Sequence, residues 1–249
     1  MNQDLRPYWV KKLHLRARHY YAEYYLRPRC KQLGKFHNIM RPRYVRISGP
    51  DIRIGQCFTA IGDDAAPIAI GVWGRGPDLG KIHIGDYVLI SPGVRISACD
   101  EIVIGDATMI ANGVYITDSD WHTIYDRTVQ DERVLPVRIG RNVWIGDHAT
   151  VLKGVTIGDN AVVAAGAVVT RNIPANTVVA GNPAQVVKQL DAEKGYRTRA
   201  DMYADPAGVW RFFDEVDQAV LKNNSLWRWL WSVLYPRYRL SLIDKTQRE

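Results

Sequence analysis

RIGRNVWIGDHATVLKGVTIGDNAVVAAGAVVT, residues 138–170, decides the fold. From Ile139 an aliphatic residue returns at every sixth position, through Ile145, Val151, Ile157, Val163 and Val169, and Gly often follows it. The same step joins Ile104, Ile110 and Ile116, and before them Ile84, Ile90 and Ile96. A helix repeats at 3.6 residues and a half-buried strand at 2, so a strict step of six fits neither as a continuous element. It fits a solenoid in which six residues make one flat side and one corner of a three-sided column. The aliphatic side chain points to the axis, and Gly, Asp or Asn turns the chain beside it. Successive coils then stack at the inter-strand spacing of about 4.8 Å. A β-sandwich would need turn signals every eight to twelve residues instead.

Residues 52 to 180 contain this rhythm, and removing the out-of-phase stretch 118–138 leaves 108 positions, or 6 coils of 18. Three segments follow: a basic aromatic arm over 1–50, the solenoid over 51–190, and a helical extension over 191–249. In the first, Pro7 opens and Pro28 closes a helical stretch, PYWVKKLHLRARHYYAEYYL. In the last, Asp205 and Pro206 start a helix with Val209, Phe213, Val216 and Val220 at helical spacing. A final helix, SLWRWLWSVLY, puts Leu226, Trp227, Leu230, Trp231 and Leu234 on one face before Pro236.

Composition narrows the class. At 249 residues, with 47% hydrophobic and 24% charged residues, the chain has the balance of a folded globular protein, which excludes collagen-like and disordered classes. Cys30, Cys57 and Cys99 form no CxxC pair and follow no secretory leader, so the expectation is a reduced, cytoplasmic protein. No apolar run is long enough for a spanning helix. Residues 1–50 hold 12 Lys/Arg against 2 Asp/Glu, residues 51–220 hold 15 against 22, and residues 221–249 hold 6 against 2. Basic, aromatic ends around an acidic middle argue against a nucleic-acid groove and suit an anionic bilayer or glycolipid.

The stretch DSDWHTIYDRTVQDERVLPVR, residues 118–138, leaves the repeat and returns to it. Long insertions in a compact repeat are usually functional. This one crowds Asp118, Asp120, Trp121 and His122, a proton-transfer group with carboxylates expected to orient it. His14, His19 and His37 fall in the basic arm and are expected to face solvent or lipid. His83 and His148 fall within repeats, on the outside of the column. A γ-class carbonic anhydrase would share the column but needs three His ligands with two typically five apart; neither His122 nor His148 has such a partner, so no metal is expected.

From Ile104 to Val187 the chain resembles the hexapeptide-repeat O-acetyltransferases, the group of galactoside, maltose and nodulation-factor acetyltransferases. The loop DSDWH, the repeats after it and the closing VVAGNPAQVVK carry the resemblance. It implies an all-β solenoid, a left-handed parallel β-helix with helical N- and C-terminal extensions. It also implies a homotrimer with acetyl-CoA in a cleft between subunits and a loop His that deprotonates the acceptor hydroxyl, a position matched by His122. For the cofactor the matching positions are Trp144, Asp147, Ala165, Thr170 and Arg171. Gln185 stands where several relatives have Arg, and Lys188 is the nearby substitute. Galactoside-type enzymes bind the acceptor with an Asn and an Asp one coil before the loop. The equivalent SPGVRISACD offers Ser91 and Asp100, with Asn112, Asp120 and Trp121 in the same neighbourhood. The departure points to a different acceptor, a sugar hydroxyl of an envelope glycan or glycolipid precursor. Rival readings are N-acetylation of an amino sugar, O-acetylation of a small xenobiotic, and a non-catalytic scaffold. The terminal helices either lie on the inner face of the cytoplasmic membrane or cap the column.

Overall fold

The six-residue step becomes three faces of a column, each a parallel sheet built from strands one coil apart. In the computed structural model, which describes residues 4–74, 80–129 and 133–235, each face has its own aliphatic row. Ile54, Ile84, Ile104, Ile139 and Ile157 align on the first face. Ile90, Ile110, Ile145, Val163 and Val179 align on the second. Ile70, Ile96, Ile116, Val151 and Val169 align on the third. All are buried, and together they form the core. Short strands suffice because each backbone amide finds its partner in the next coil rather than along its own chain.

Two corners repeat with the coil. Between the first and second faces the chain passes through positive φ at Cys57, Tyr87, Ala107, Asn142, Asn160 and Asn176. Three of these are the Asn that tolerate this region best, and they are tied side chain to side chain, Asn142 to Asn160 at 2.9 Å and Asn160 to Asn176 at 3.0 Å. Between the second and third faces the positive-φ positions are Arg41, Gly93, Gly113, His148 and Gly166.

The column starts earlier than the repeat suggested. Strands Gln32–Leu33, Asn38–Met40 and Val45–Ser48 pair in register with the coil that follows, so the first coil occupies residues expected to belong to an arm ending at 50. At the other end, Thr177–Ala180 is followed by Gln185–Gln189, which folds back antiparallel on it. The compact unit runs over Tyr20–Ala204, so residues 191–204 belong with the column rather than with the terminal helices. A short helix in this stretch, Arg199–Met202, is held by Arg199, whose Nε donates to Tyr87 O at 2.7 Å.

Helix α1 spans Tyr8–Leu26. Its last turns, from Tyr20 on, place Ala22 and Leu26 in the core of the column unit. His37 is buried there too, with Nε2 at 2.7 Å from Glu23 Oε1, which corrects the expectation of a solvent- or lipid-facing ring. Of the described residues, the second compact unit comprises 4–19 and 205–235. It contains helix α2, Pro206–Leu221, capped by Asp205, and helix α3, Leu226–Leu234, capped by Ser225. Within it Lys11 pairs with Asp217 at 2.6 Å and Lys12 with Asp214 at 2.8 Å. Pro236 and the basic residues after it lie outside the described residues.

Candidate active site

The loop leaves the column after strand Tyr115–Thr117, and its root is fixed by one carboxylate. Asp118 is fully buried and accepts the amides of Cys99 and Asp100, each at 2.7 Å. Burial pushes its pKa up, and the amides of Cys99, Asp100 and Glu101 oppose that rise. Asp118 O also accepts Leu135 N at 3.0 Å, and Leu135 O accepts Gly154 N at 2.9 Å, so the returning limb is tied to both the departing limb and the next coil. Lys153 completes the latch: its Nζ lies 2.7 Å from Asp120 Oδ2 and donates to Arg133 O at 3.0 Å.

Inside that frame Ser119 is buried, and its hydroxyl accepts Trp121 N at 3.0 Å. Trp121 adopts φ 69° and its Nε1 donates to Tyr115 Oη at 3.2 Å. His122 follows, its amide on Asp120 O at 2.9 Å and its ring exposed. The imidazole has no hydrogen-bond partner among the described residues. The two carboxylates expected to orient it do other work: Asp118 holds backbone and Asp120 holds Lys153.

Most of the remaining candidate residues separate onto the two edges of the third face, while Trp144 and Lys188 belong to the second. Backbone bonds Gly113 N to Pro92 O, His148 N to Asn112 O and Gly166 N to Asp147 O stack Ser91, Asn112, Asp147 and Ala165 along the corner between the second and third faces. Asp100, the His122 loop, Thr170 and Arg171 lie along the opposite corner, where the chain leaves the third face. Asn112 and Asp118 are six residues apart on one coil, at most about 20 Å at ~3.3 Å per residue. Trp144 is half-exposed on the second face in register with Met109 and Val162. Lys188 is exposed on the antiparallel strand opposite Val178. The candidate residues of a single chain thus do not converge on one point.

Sequence reading missed Arg95, Tyr115 and Lys153. Arg95 and Tyr115 are register partners on the third face, with the guanidinium 4.7 Å from the ring centroid. The repeat supplies the signal that could have found Arg95 and Tyr115, because one coil of displacement converts into direct contact; Lys153 meets the loop instead, and no periodicity marks it.

The model of the bacterial transferase hexapeptide, six repeats, matches residues 136–171. WbbJ of Escherichia coli strain K12, provisionally assigned to O-acetyl transfer in lipopolysaccharide biosynthesis, is 33% identical over 162 residues, covering 61% of this chain and 78% of that protein. Galactoside O-acetyltransferase of the same strain is 34% identical over 118 residues, covering 46% of this chain and 48% of the relative. Several other curated relatives are matched over only 31 to 48% of their length. Among solved structures, AntD, an N-acyltransferase from Bacillus cereus crystallised with dTDP and 3-hydroxybutyryl-CoA, is 16% identical with a TM-score of 0.51 over 76% of this chain and 96% of that one, a likeness of fold. The fold is the left-handed parallel β-helix, and the chain belongs to the hexapeptide-repeat acetyltransferases.

Proposed function

We propose that this chain transfers an acetyl group from acetyl-CoA to a sugar hydroxyl, with His122 as general base. The observation behind this reading is an exposed imidazole without a partner among the described residues, on a loop whose root is pinned at Asp118, Leu135 and Lys153. A rigid root with a free ring is what base catalysis needs, because the ring must meet a substrate proton rather than a protein acceptor. The hydroxyl gives its proton to the imidazole while its oxygen attacks the thioester carbonyl. The carbon–sulfur bond then breaks, and the imidazolium returns the proton to the departing thiolate. Alcohol and thioester become ester and thiol, a step in which a placed base contributes roughly 10²- to 10⁴-fold.

The separation of candidate residues onto two edges supports a homotrimer, with acetyl-CoA lying between one subunit's His122 loop and its neighbour's Asn112–Asp147–Ala165 corner. Besides Asp147 and Ala165, the cofactor candidates are Trp144, Thr170, Arg171 and Lys188; Ser91, Asp100, Asn112, Asp120 and Trp121 are those for the acceptor. The assignment given to WbbJ favours an envelope glycan or glycolipid precursor as acceptor. Thiol release from acetyl-CoA in the presence of galactosides, maltose and glucosamine tests the reading. His122→Ala is expected to lower kcat at least about 100-fold with little change in KM for acetyl-CoA. Unchanged turnover overturns it, and an alkali-stable product with glucosamine alone favours N-acetylation.

A second reading concerns location. No described helix is long and apolar enough to cross a membrane. In α3, however, Trp227 and Leu234 are 73% and 71% exposed while Ser232 is buried, so the helix turns its apolar face outward. Trp at headgroup depth beside basic residues suits peripheral attachment to the inner face of the cytoplasmic membrane. Flotation with anionic liposomes tests it: attachment predicts co-flotation that Trp227→Ser with Trp231→Ser abolishes, and wild-type protein left at the bottom of the gradient rejects it.

A further inference from the structure

From the row of side chains beside the His122 loop we infer that Arg95 binds an anionic group, a carboxylate or a phosphate, carried by the sugar acceptor, and so selects its class. The inference rests on the transferase reading and names the substrate chemistry of that site. Arg95 opens strand Arg95–Ala98 on the third face, and its outward row runs Ala69, Arg95, Tyr115, Thr150, Val168. Arg95 is exposed, and the residues on either side of the Arg95–Tyr115 pair, Ala69 and Thr150, are small, so the pair stands above a shallow floor.

Two contacts give the guanidinium a direction. Its Nε donates to Ser97 Oγ at 3.2 Å, which draws it along its own strand toward the corner where the loop departs. Its carbon lies 4.7 Å from the Tyr115 ring centroid, and the Tyr115 hydroxyl accepts Trp121 Nε1, one residue from His122. Arg95, Tyr115, Trp121 and His122 therefore form one continuous surface on a single unit of the chain. A cation stacked on an aromatic face and fixed at Nε keeps its planar fork presented for bidentate contact.

No carboxylate among the described residues neutralises that fork. Arg95 appears in no ion pair among the described residues, and Asp118 and Asp120 of the loop are already committed, Asp118 to the amides of Cys99 and Asp100 and Asp120 to Lys153. An arginine with its terminal nitrogens open, beside an indole that can stack on a sugar ring, matches a sugar bearing an oxyanion next to the accepting hydroxyl. A neutral hexose would leave the fork to water. Uronates and sugar phosphates share the required chemistry.

The probes are methyl β-D-galactopyranoside, methyl β-D-galactopyranosiduronate and D-galactose 1-phosphate, assayed by thiol release from acetyl-CoA. Wild-type protein is expected to prefer a charged probe over the neutral one by about 10- to 100-fold in kcat/KM, and the better of the two charged probes identifies the source of the anion. Arg95→Gln should bring that ratio toward one through KM rather than kcat, and Arg95→Lys should restore part of it. A wild-type ratio near one, or an equal loss with charged and neutral probes in Arg95→Gln, overturns the proposal.

Saturation-transfer NMR with the same probes separates this outcome from failure of the transferase reading. Binding that depends on Arg95 without acetyl transfer to any probe keeps the anion site and rejects the reaction. Probe binding that is absent, or unaltered by Arg95→Gln, rejects the site whether or not the enzyme turns over.

Discussion

Asp118 sets the geometry of the proposed active site although it points away from it. A fully buried carboxylate serving the Cys99 and Asp100 amides is costly to desolvate and costlier to remove, because each amide then lacks an acceptor. Asp118→Ala is expected to destabilise the fold by about 2–4 kcal/mol in urea unfolding, and Asp118→Asn, which keeps one acceptor oxygen, by about half as much. Equal stability of all three proteins would show that the loop root is held elsewhere. The sequence reading placed Asp118 and Asp120 correctly in the loop but assigned them to His122, because adjacency in a line of residues does not say which way a side chain turns. The Gly that often follows a core aliphatic was legible, with a different cause from the one expected. At Gly140 a Cβ would sit 2.4 Å from Asp159 Oδ1, the atom that accepts Arg141 N, so close approach between coils excludes a side chain there. The positive φ falls two positions later, at Asn142. Arg95 went unread because its meaning comes from Tyr115 on the next coil, a pairing that emerges only when the repeat is wound into coils.

At the scale of elements, the strands were readable because one residue in six fixes both face and register, while the boundaries were not. The first coil keeps the step, with Leu33, Ile39 and Val45 spaced by six, but Lys35, Phe36, Arg41 and Arg43 around them read as part of a basic arm. The residues of α1 from Tyr20 onward close that coil by burying Ala22 and Leu26. Their polar anchor is Glu23, which Arg27 first and then His37 hold at a pKa of about 2 despite partial burial, against an ordinary value of 4.5. A carboxylate depressed in the folded state stabilises it above its unfolded pKa and loses that contribution as pH falls toward the folded value. Glu23→Gln is therefore expected to lower Tm at pH 6 and to converge with wild type between pH 4.5 and 2. A Tm difference that stays constant across that range would mean that the ion pair and buried His37 contribute nothing to closing the coil.

The whole molecule bears on the reaction through the two edges of the third face. His122 lies on one edge and Asn112, Asp147 and Ala165 on the other, and the column between them is too rigid to bring them together, since every coil is hydrogen-bonded to the next. Under the proposed trimer each site takes its base from one subunit and its cofactor wall from a neighbour, and this has an arithmetic consequence. Take His122→Ala, which lacks the base, and Ala165→Trp, which fills the wall; each alone is expected to be inactive with acetyl-CoA. When the two are denatured together and refolded at equal concentration, random assembly gives about a quarter of the sites an intact base and an intact wall, one from each parent. Restored thiol release near a quarter of the wild-type rate is the expected result. A site contained within one chain cannot be repaired in this way, because every chain in the mixture carries one lesion, so activity that stays at the level of the separate variants would place the base and the thioester on the same subunit.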